Sequence, residues 1–126
     1  MSVESIKRLG GWLQVRTLAH PDRGELQLDT VLSAFSDPVR RRIVDQLADG
    51  PDDQACSAFQ LPVSKSTSTH HFRVLREAGV IEQRYSGTSI LNTLRAADLE
   101  ARFPGLLKAV LQAARDETPS PTAERL

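Results

Sequence analysis

A mostly α-helical fold with one small β-hairpin is predicted for this chain by three observations. Apolar residues recur at helical spacing between residues 29 and 78, a period of two takes over up to residue 94, and an apolar helical stretch follows Pro104. The breakers Gly50-Pro51, Pro62, Gly79 and Ser86-Gly87 fall where one pattern gives way to the next. At 126 residues, 40% hydrophobic and 25% charged, the chain holds material for one compact domain.

The elements follow in order. Residues 1–28 contain Gly10-Gly11, His20-Pro21 and Gly24, with only a weak apolar spacing of Ile6, Leu9 and Leu13. They read as an irregular N-terminal arm, either mobile or docked on a partner subunit through Trp12. Asp29-Thr30 then offers an N-cap for a first short helix carrying Val31, Leu32 and Phe35. Asp37 caps a second, with Pro38 at the first helical position, where a missing N–H costs nothing, and Val39, Ile43, Val44 and Leu47 at core spacing. A third short helix is expected over Asp52–Leu61, burying Ala55, Phe59 and Cys56 before Pro62 stops it. Ser64 caps a fourth, which Gly79 closes.

Strands are expected over Val80–Tyr85 and Thr88–Leu94, joined by Ser86-Gly87. Asp98 reads as the cap of a helix over Leu99–Phe103, and Pro104 as the start of a last helix with Leu106, Leu107, Val110, Leu111 and Ala114. Residues 118–126, with two prolines and no apolar pattern, read as a disordered tail, leaving 29–117 as the folded domain.

The fourth helix carries the functional signal. At about 100° per residue, Ser68, His71, Phe72, Leu75 and Ala78 share one side, which is expected to be buried. Ser66, Thr69, His70 and Arg73 cluster opposite, with Lys65, Thr67 and Arg76 at the margins. Short hydroxyls and donors replace the Glu/Lys mixture of an ordinary solvated face, and residues 64–69 are rich in weak helix formers that such a face seldom prefers. Hydroxyls and helix-start N–H groups suit phosphate, and an arginine can pair with guanine O6 and N7. Bulk charge is silent, since 16 Lys and Arg balance 16 Asp and Glu, but residues 64–95 hold five basic residues against two acids.

Two stretches, Ser-Asp-Pro-Val-Arg-Arg-Arg-Ile-Val (36–44) and Ser-Lys-Ser-Thr-Ser-Thr-His-His-Phe-Arg-Val-Leu-Arg-Glu-Ala-Gly-Val-Ile (64–81), resemble the ArsR/SmtB family of bacterial winged helix-turn-helix repressors. The resemblance extends over about residues 28–117. It implies a homodimer paired through its first and last helices, binding double-stranded DNA at imperfect inverted repeats in promoters, often under effector control. Matched position by position, Lys65, Ser66, Thr67, Thr69, His70 and Arg73 face the major groove, Arg84 lies on the wing, and His71 packs inward. Two departures stand out. Ser68 replaces a Val-like residue, and Thr88-Ser89-Ile90 replaces a segment often basic in the family, which implies a weaker wing.

Other chemistry has less support. His70 and His71 point about 100° apart on a helix and cannot easily chelate one ion. The family's Cys-x-Cys thiolate sensor is matched only by Cys56, and its Asp/His pair on the last helix is missing between Pro104 and Glu117. No metal site, cofactor or recognisable effector is therefore expected. A metal or thiol-redox sensor using Cys56 or His20 is the alternative on the same scaffold, and a winged-helix protein-interaction module the alternative of another class. Arg40, Arg41 and Arg42 are expected to divide between phosphate contact, capping and ion pairing. No Gly-rich phosphate loop, nucleophile elbow or metalloprotease spacing occurs, so no enzyme activity is expected. One cysteine allows no internal disulfide and no apolar run spans a bilayer, which makes the cytoplasm the expected setting.

Overall fold

The computed structural model describes residues 18–117. Five α-helices are described there: α1 (Leu28–Phe35), α2 (Pro38–Asp49), α3 (Lys65–Ala78), α4 (Ala96–Arg102) and α5 (Leu106–Glu117). Strands β1 (Asp53–Ala55), β2 (Ile81–Ser86) and β3 (Ser89–Leu94) form one antiparallel sheet in the order β1-β3-β2.

The strongest local signals are realised. Asp37 accepts hydrogen bonds from the amides of Val39 (2.7 Å) and Arg40 (3.2 Å), with Pro38 as the first helical residue. Burial opposes the charge of Asp37, but these two bonds outweigh it and hold its carboxyl below the usual range. The hairpin pairs Ser86 with Ser89 across a two-residue turn. Gly87 takes φ 62° at the first turn position, where a side chain would be strained.

One core holds the layers together. Val31, Phe35, Ile43, Val44, Leu75 and Val80 are buried, as are Leu99 and Leu111. α5 rests against α2, where Arg115 bridges Asp45 (2.6 Å) and Asp49 (3.2 Å). Arg40 and Arg41 are half-buried and direct their guanidiniums mainly at main-chain carbonyls. Helices leave their last carbonyls without partners, and here Arg40 donates to the carbonyls of Ala34 (2.7 Å) and Ser33 (3.2 Å), while Arg41 donates to that of Phe35 (2.8 Å). The end of α1 is thus capped by side chains of α2. Arg42 is exposed.

Several expectations are corrected. The helix expected over Asp52–Leu61 is replaced by β1 and a single 3-10 turn, Cys56–Ala58. The segment pairs instead with the free edge of β3, Asp53 opposite Thr93 and Ala55 opposite Leu91. Phe59 is buried as expected, whereas Ala55 and Cys56 are only half-buried. α1 begins at Leu28, before the expected cap, and Leu32 points outward at 43% exposure. Asp98 caps no helix: α4 starts at Ala96, and Asp98 pairs with Arg23 (2.7 Å) and Arg95 (3.0 Å). Pro104 does not open α5, because Gly105 sits at φ 82°, outside helical geometry, and the helix begins one residue later.

The part of the expected arm that is described is largely exposed but anchored to the domain at a few points. Leu26 is 1% exposed, Arg102 Nε donates to its carbonyl at 2.9 Å, and Arg95 holds the carbonyl of Pro21 at 2.8 Å. The packed unit therefore begins ahead of residue 29. The remainder of the arm, with Trp12, and the tail 118–126 lie outside the described residues.

Candidate nucleic-acid interface

α3 is delimited as its sequence requires. Ser64 Oγ accepts from the amide of Thr67 (3.2 Å), and Gly79 closes the helix in the left-handed conformation at φ 84°. Its inward face is His71, Phe72, Leu75 and Ala78, with Ser68 half-buried beside them. Phe72 meets Phe59 edge to face, ring centroids 5.2 Å apart. His71 packs inward as expected, its Nδ1 receiving Arg40 Nη1 at 3.1 Å. Accepting that bond requires a bare Nδ1, which leaves the proton on Nε2, 4.0 Å from Asp37. The guanidinium that caps α1 therefore also fixes the underside of α3.

Lys65, Ser66, Thr67, Thr69, His70 and Arg73 are all exposed, with Ser66, Thr69, His70 and Arg73 at spacings that share the outer face and Lys65 and Thr67 at its two margins. Their polar groups are partly pre-arranged. Thr69 Oγ1 donates to the carbonyl of Lys65 (3.0 Å), which spends its proton and leaves its lone pairs as acceptors. Ser64 Oγ lies 2.9 Å from Thr67 Oγ1 and 3.2 Å from Ser66 Oγ, a hydroxyl cluster around the helix start. Arg73 Nη2 rests 3.3 Å from His70 Nδ1, which braces the guanidinium along the helix.

Arg84, the remaining expected contact residue, is placed differently. It lies on β2 and forms a two-pronged pair with Asp53 of β1, at 3.2 and 2.7 Å. Thr93 Oγ1 donates to the same carboxylate at 2.6 Å, and the Arg84 and Thr93 bonds together lower the Asp53 pKa to about 2. The one basic residue of the hairpin is thus engaged within the protein. The hairpin tip carries Ser86, Thr88 and Ser89, all exposed and uncharged. Arg76, expected at the margin of the reading face, turns inward and donates from Nη1 to Gln83 Oε1 at 3.0 Å.

A buried polar chain beneath the hairpin escaped sequence reasoning. Asn92, at 0% exposure, donates from Nδ2 to the carbonyl of Gln54 (3.0 Å) and to Cys56 Sγ (3.2 Å), and accepts from Gln83 Nε2 (2.8 Å). Gln54 continues the chain into α2 by donating to the carbonyl of Gln46 at 3.0 Å. The only sequence sign was that Gln83 and Asn92 fall on the inward parity of their strands, where apolar residues are the norm.

The residues weighed as sensors are committed to structural contacts. His20 Nε2 accepts from the amide of Gln83 at 2.9 Å, and burial depresses its pKa, favouring the neutral ring. Burial raises the Cys56 pKa and keeps it a thiol at neutral pH. Among the described residues no group of three or more His, Cys, Asp or Glu side chains converges as a metal site, and no helix is long and apolar enough to cross a membrane.

Comparison with known proteins agrees with this geometry. A helix-turn-helix domain model matches residues 35–84. The chain is 30% identical to the transcriptional repressor SdpR of Bacillus subtilis (strain 168) over 83 residues, covering 66% of this chain and 92% of that protein. It is 36% identical to the HTH-type transcriptional regulator Rv2034 of Mycobacterium tuberculosis over 73 residues, 58% of this chain and 68% of the relative. An ArsR-like transcriptional regulator from Rhodococcus sp. RHA1 superposes with a TM-score of 0.52 at 29% identity, over 71% of this chain and 85% of that one. With a winged helix-turn-helix scaffold, an outward face of donors on α3 and relatives of this kind, the chain belongs to the ArsR family of DNA-binding transcriptional regulators.

Proposed function

We propose that the protein is a homodimeric repressor that acts in the cytoplasm, binding an inverted repeat in double-stranded DNA with one α3 helix in each of two successive major grooves. The observation that carries this reading is the outer face of α3, where Lys65, Ser66, Thr67, Thr69, His70 and Arg73 are exposed together. Arg73 reads base edges, and the hydroxyl cluster at the helix start binds phosphate. Arg84 contributes only by exchanging Asp53 for a phosphate, so the wing adds little.

The unit expected over residues 29–117, extended at its start to take in Leu26 and Leu28, would then form the DNA-binding and dimerisation unit. Pairing through the first and last helices is supported by Leu28 and Leu32, which lie one turn apart on α1 at 46% and 43% exposure. It would set the two α3 helices about one DNA turn, roughly 34–36 Å, apart. No catalytic role and no resident metal or cofactor enters this proposal.

The test is a titration of the protein's own upstream region against random duplex at fixed salt. Preference for the upstream region is expected, and Arg73→Ala should relax that preference by about 1–3 kcal/mol. Equal affinity for both duplexes would overturn the reading in favour of a protein-interaction module. Leu32→Glu should lower the solution mass from dimer to monomer, and an unchanged mass would exclude α1 from the interface.

A further inference from the structure

A cleft of about 710 Å³ opens between α3 and the β2–β3 hairpin, within the size range of small-molecule sites. Phe59, Leu61, Val63, Phe72 and Ile90 supply apolar walls. Three cations, Lys65, Arg73 and Arg76, also line it, and none of the lining side chains is acidic. The other polar lining side chains, all Ser, Thr, Gln or Tyr, are uncharged, so every charge facing this largely apolar cleft is positive, which suits an anion with a hydrocarbon body.

DNA binding accounts for Lys65 and Arg73 but not for Arg76. Its Nη1 is held by Gln83 (3.0 Å), and its Nε is buried with no hydrogen-bond partner among the described residues. A buried donor left unmade is costly, and because this atom is closed off, an acceptor in the cleft satisfies it only when the guanidinium leaves Gln83 and swings toward the cleft. A DNA phosphate, confined to the outer surface, is badly placed to do so.

We propose that this cleft binds an amphipathic carboxylic acid, its carboxylate between Arg73 and Arg76 and its hydrocarbon body against Phe59, Leu61 and Ile90. The proposal rests on the DNA-reading role of α3 and adds its control. A carboxylate on Arg73 withdraws the guanidinium from the base edges and adds negative charge beside the phosphates, so ligand and DNA compete. Control of this kind acts within one subunit and needs no change in the dimer.

The experiment uses octanoate as the probe and 1-octanol as its uncharged counterpart, titrated calorimetrically into the full chain without DNA. Octanoate is expected to saturate one site per chain, with octanol roughly tenfold weaker or more for want of the charge-assisted bonds. Ser57→Trp and Leu61→Trp fill the cleft from two sides, and whichever variant folds should lose octanoate binding. In a parallel DNA titration, octanoate should weaken the wild type and leave the folded variant unaffected. Absence of saturable binding, or undiminished binding in the filled variants, overturns the site, and equal binding of octanol overturns the carboxylate assignment. Because the first titration contains no DNA, it judges the cleft even where the DNA-binding proposal fails.

Discussion

Replacing Asn92 with alanine tests the buried polar chain that ties the hairpin to the rest of the domain. Asn92 is 0% exposed on the central strand, and its amide serves the Gln54 carbonyl at 3.0 Å and Gln83 Nε2 at 2.8 Å. Truncation strands both of these groups where water cannot readily replace the bond. Each such loss costs about 1–3 kcal/mol, so the expected destabilisation is about 2–5 kcal/mol, a large share of the 5–15 kcal/mol typical of a domain. With a urea slope of about 2 kcal/mol per M, the unfolding midpoint should fall by about 1–2.5 M. The measurement is equilibrium urea denaturation at one fixed protein concentration, because dimerisation would otherwise enter the midpoint. Asn92→Leu provides the control: it restores volume without restoring either partner, and should remain about as unstable as the alanine variant. A loss below about 1 kcal/mol at unchanged slope, or full recovery with leucine, would refute the reasoning.

Gly79→Ala should cost about 2–4 kcal/mol, because the residue sits at φ 84° and an added Cβ would run into Leu26 Cδ2; thermal or urea denaturation reads this directly. His20 has a depressed pKa through burial, so its contribution to stability is fully present above the unfolded value of about 6.5 and is lost as pH falls through the lower folded value. Unfolding midpoints measured between pH 7 and pH 5 should decline, and His20→Gln should flatten that decline. Asp53→Ala frees Arg84 from its pair and should raise affinity for all duplexes while steepening the salt dependence by about one phosphate contact; a salt slope identical to wild type would show that Arg84 does not reach DNA. Alkylation of the native protein at neutral pH should be slow at Cys56, whose thiol is favoured by burial, and fast labelling would contradict that placement.

What could be read in advance was whatever is encoded locally. The Asp37-Pro38 start of α2, the Ser64 and Gly79 limits of α3 and the division of α3 into His71, Phe72 and Leu75 inside and Thr69, His70 and Arg73 outside all follow from spacing within a few residues. The segment 52–61 was misread because Ala55 and Phe59 stand at helical spacing, while the force that decides its conformation is remote. The free edge of β3 captures it, pairing Asp53 with Thr93. Ten residues bounded by prolines offer little helix stability of their own, so a tertiary partner prevails. The same remoteness hid the Arg84–Asp53 pair, 31 residues apart, and the docking of Leu26. A list of charged residues on the hairpin could not tell an available guanidinium from a committed one.

Arg40 reaches three partners, and the kinds of partner have a consequence for how the sequence can drift. Two are main-chain carbonyls, of Ser33 and Ala34, which every amino acid provides; the third is the His71 ring. As far as this junction is concerned, positions 33 and 34 are free to vary, whereas 40 and 71 are bound to one another. Lysine at 40 cannot span all three acceptors from a single nitrogen, so a change there is expected to be inherited together with a change at 71. Homologues that lose the arginine should therefore also lose the histidine, while those that keep both can exchange Ser33 and Ala34 without penalty at this junction.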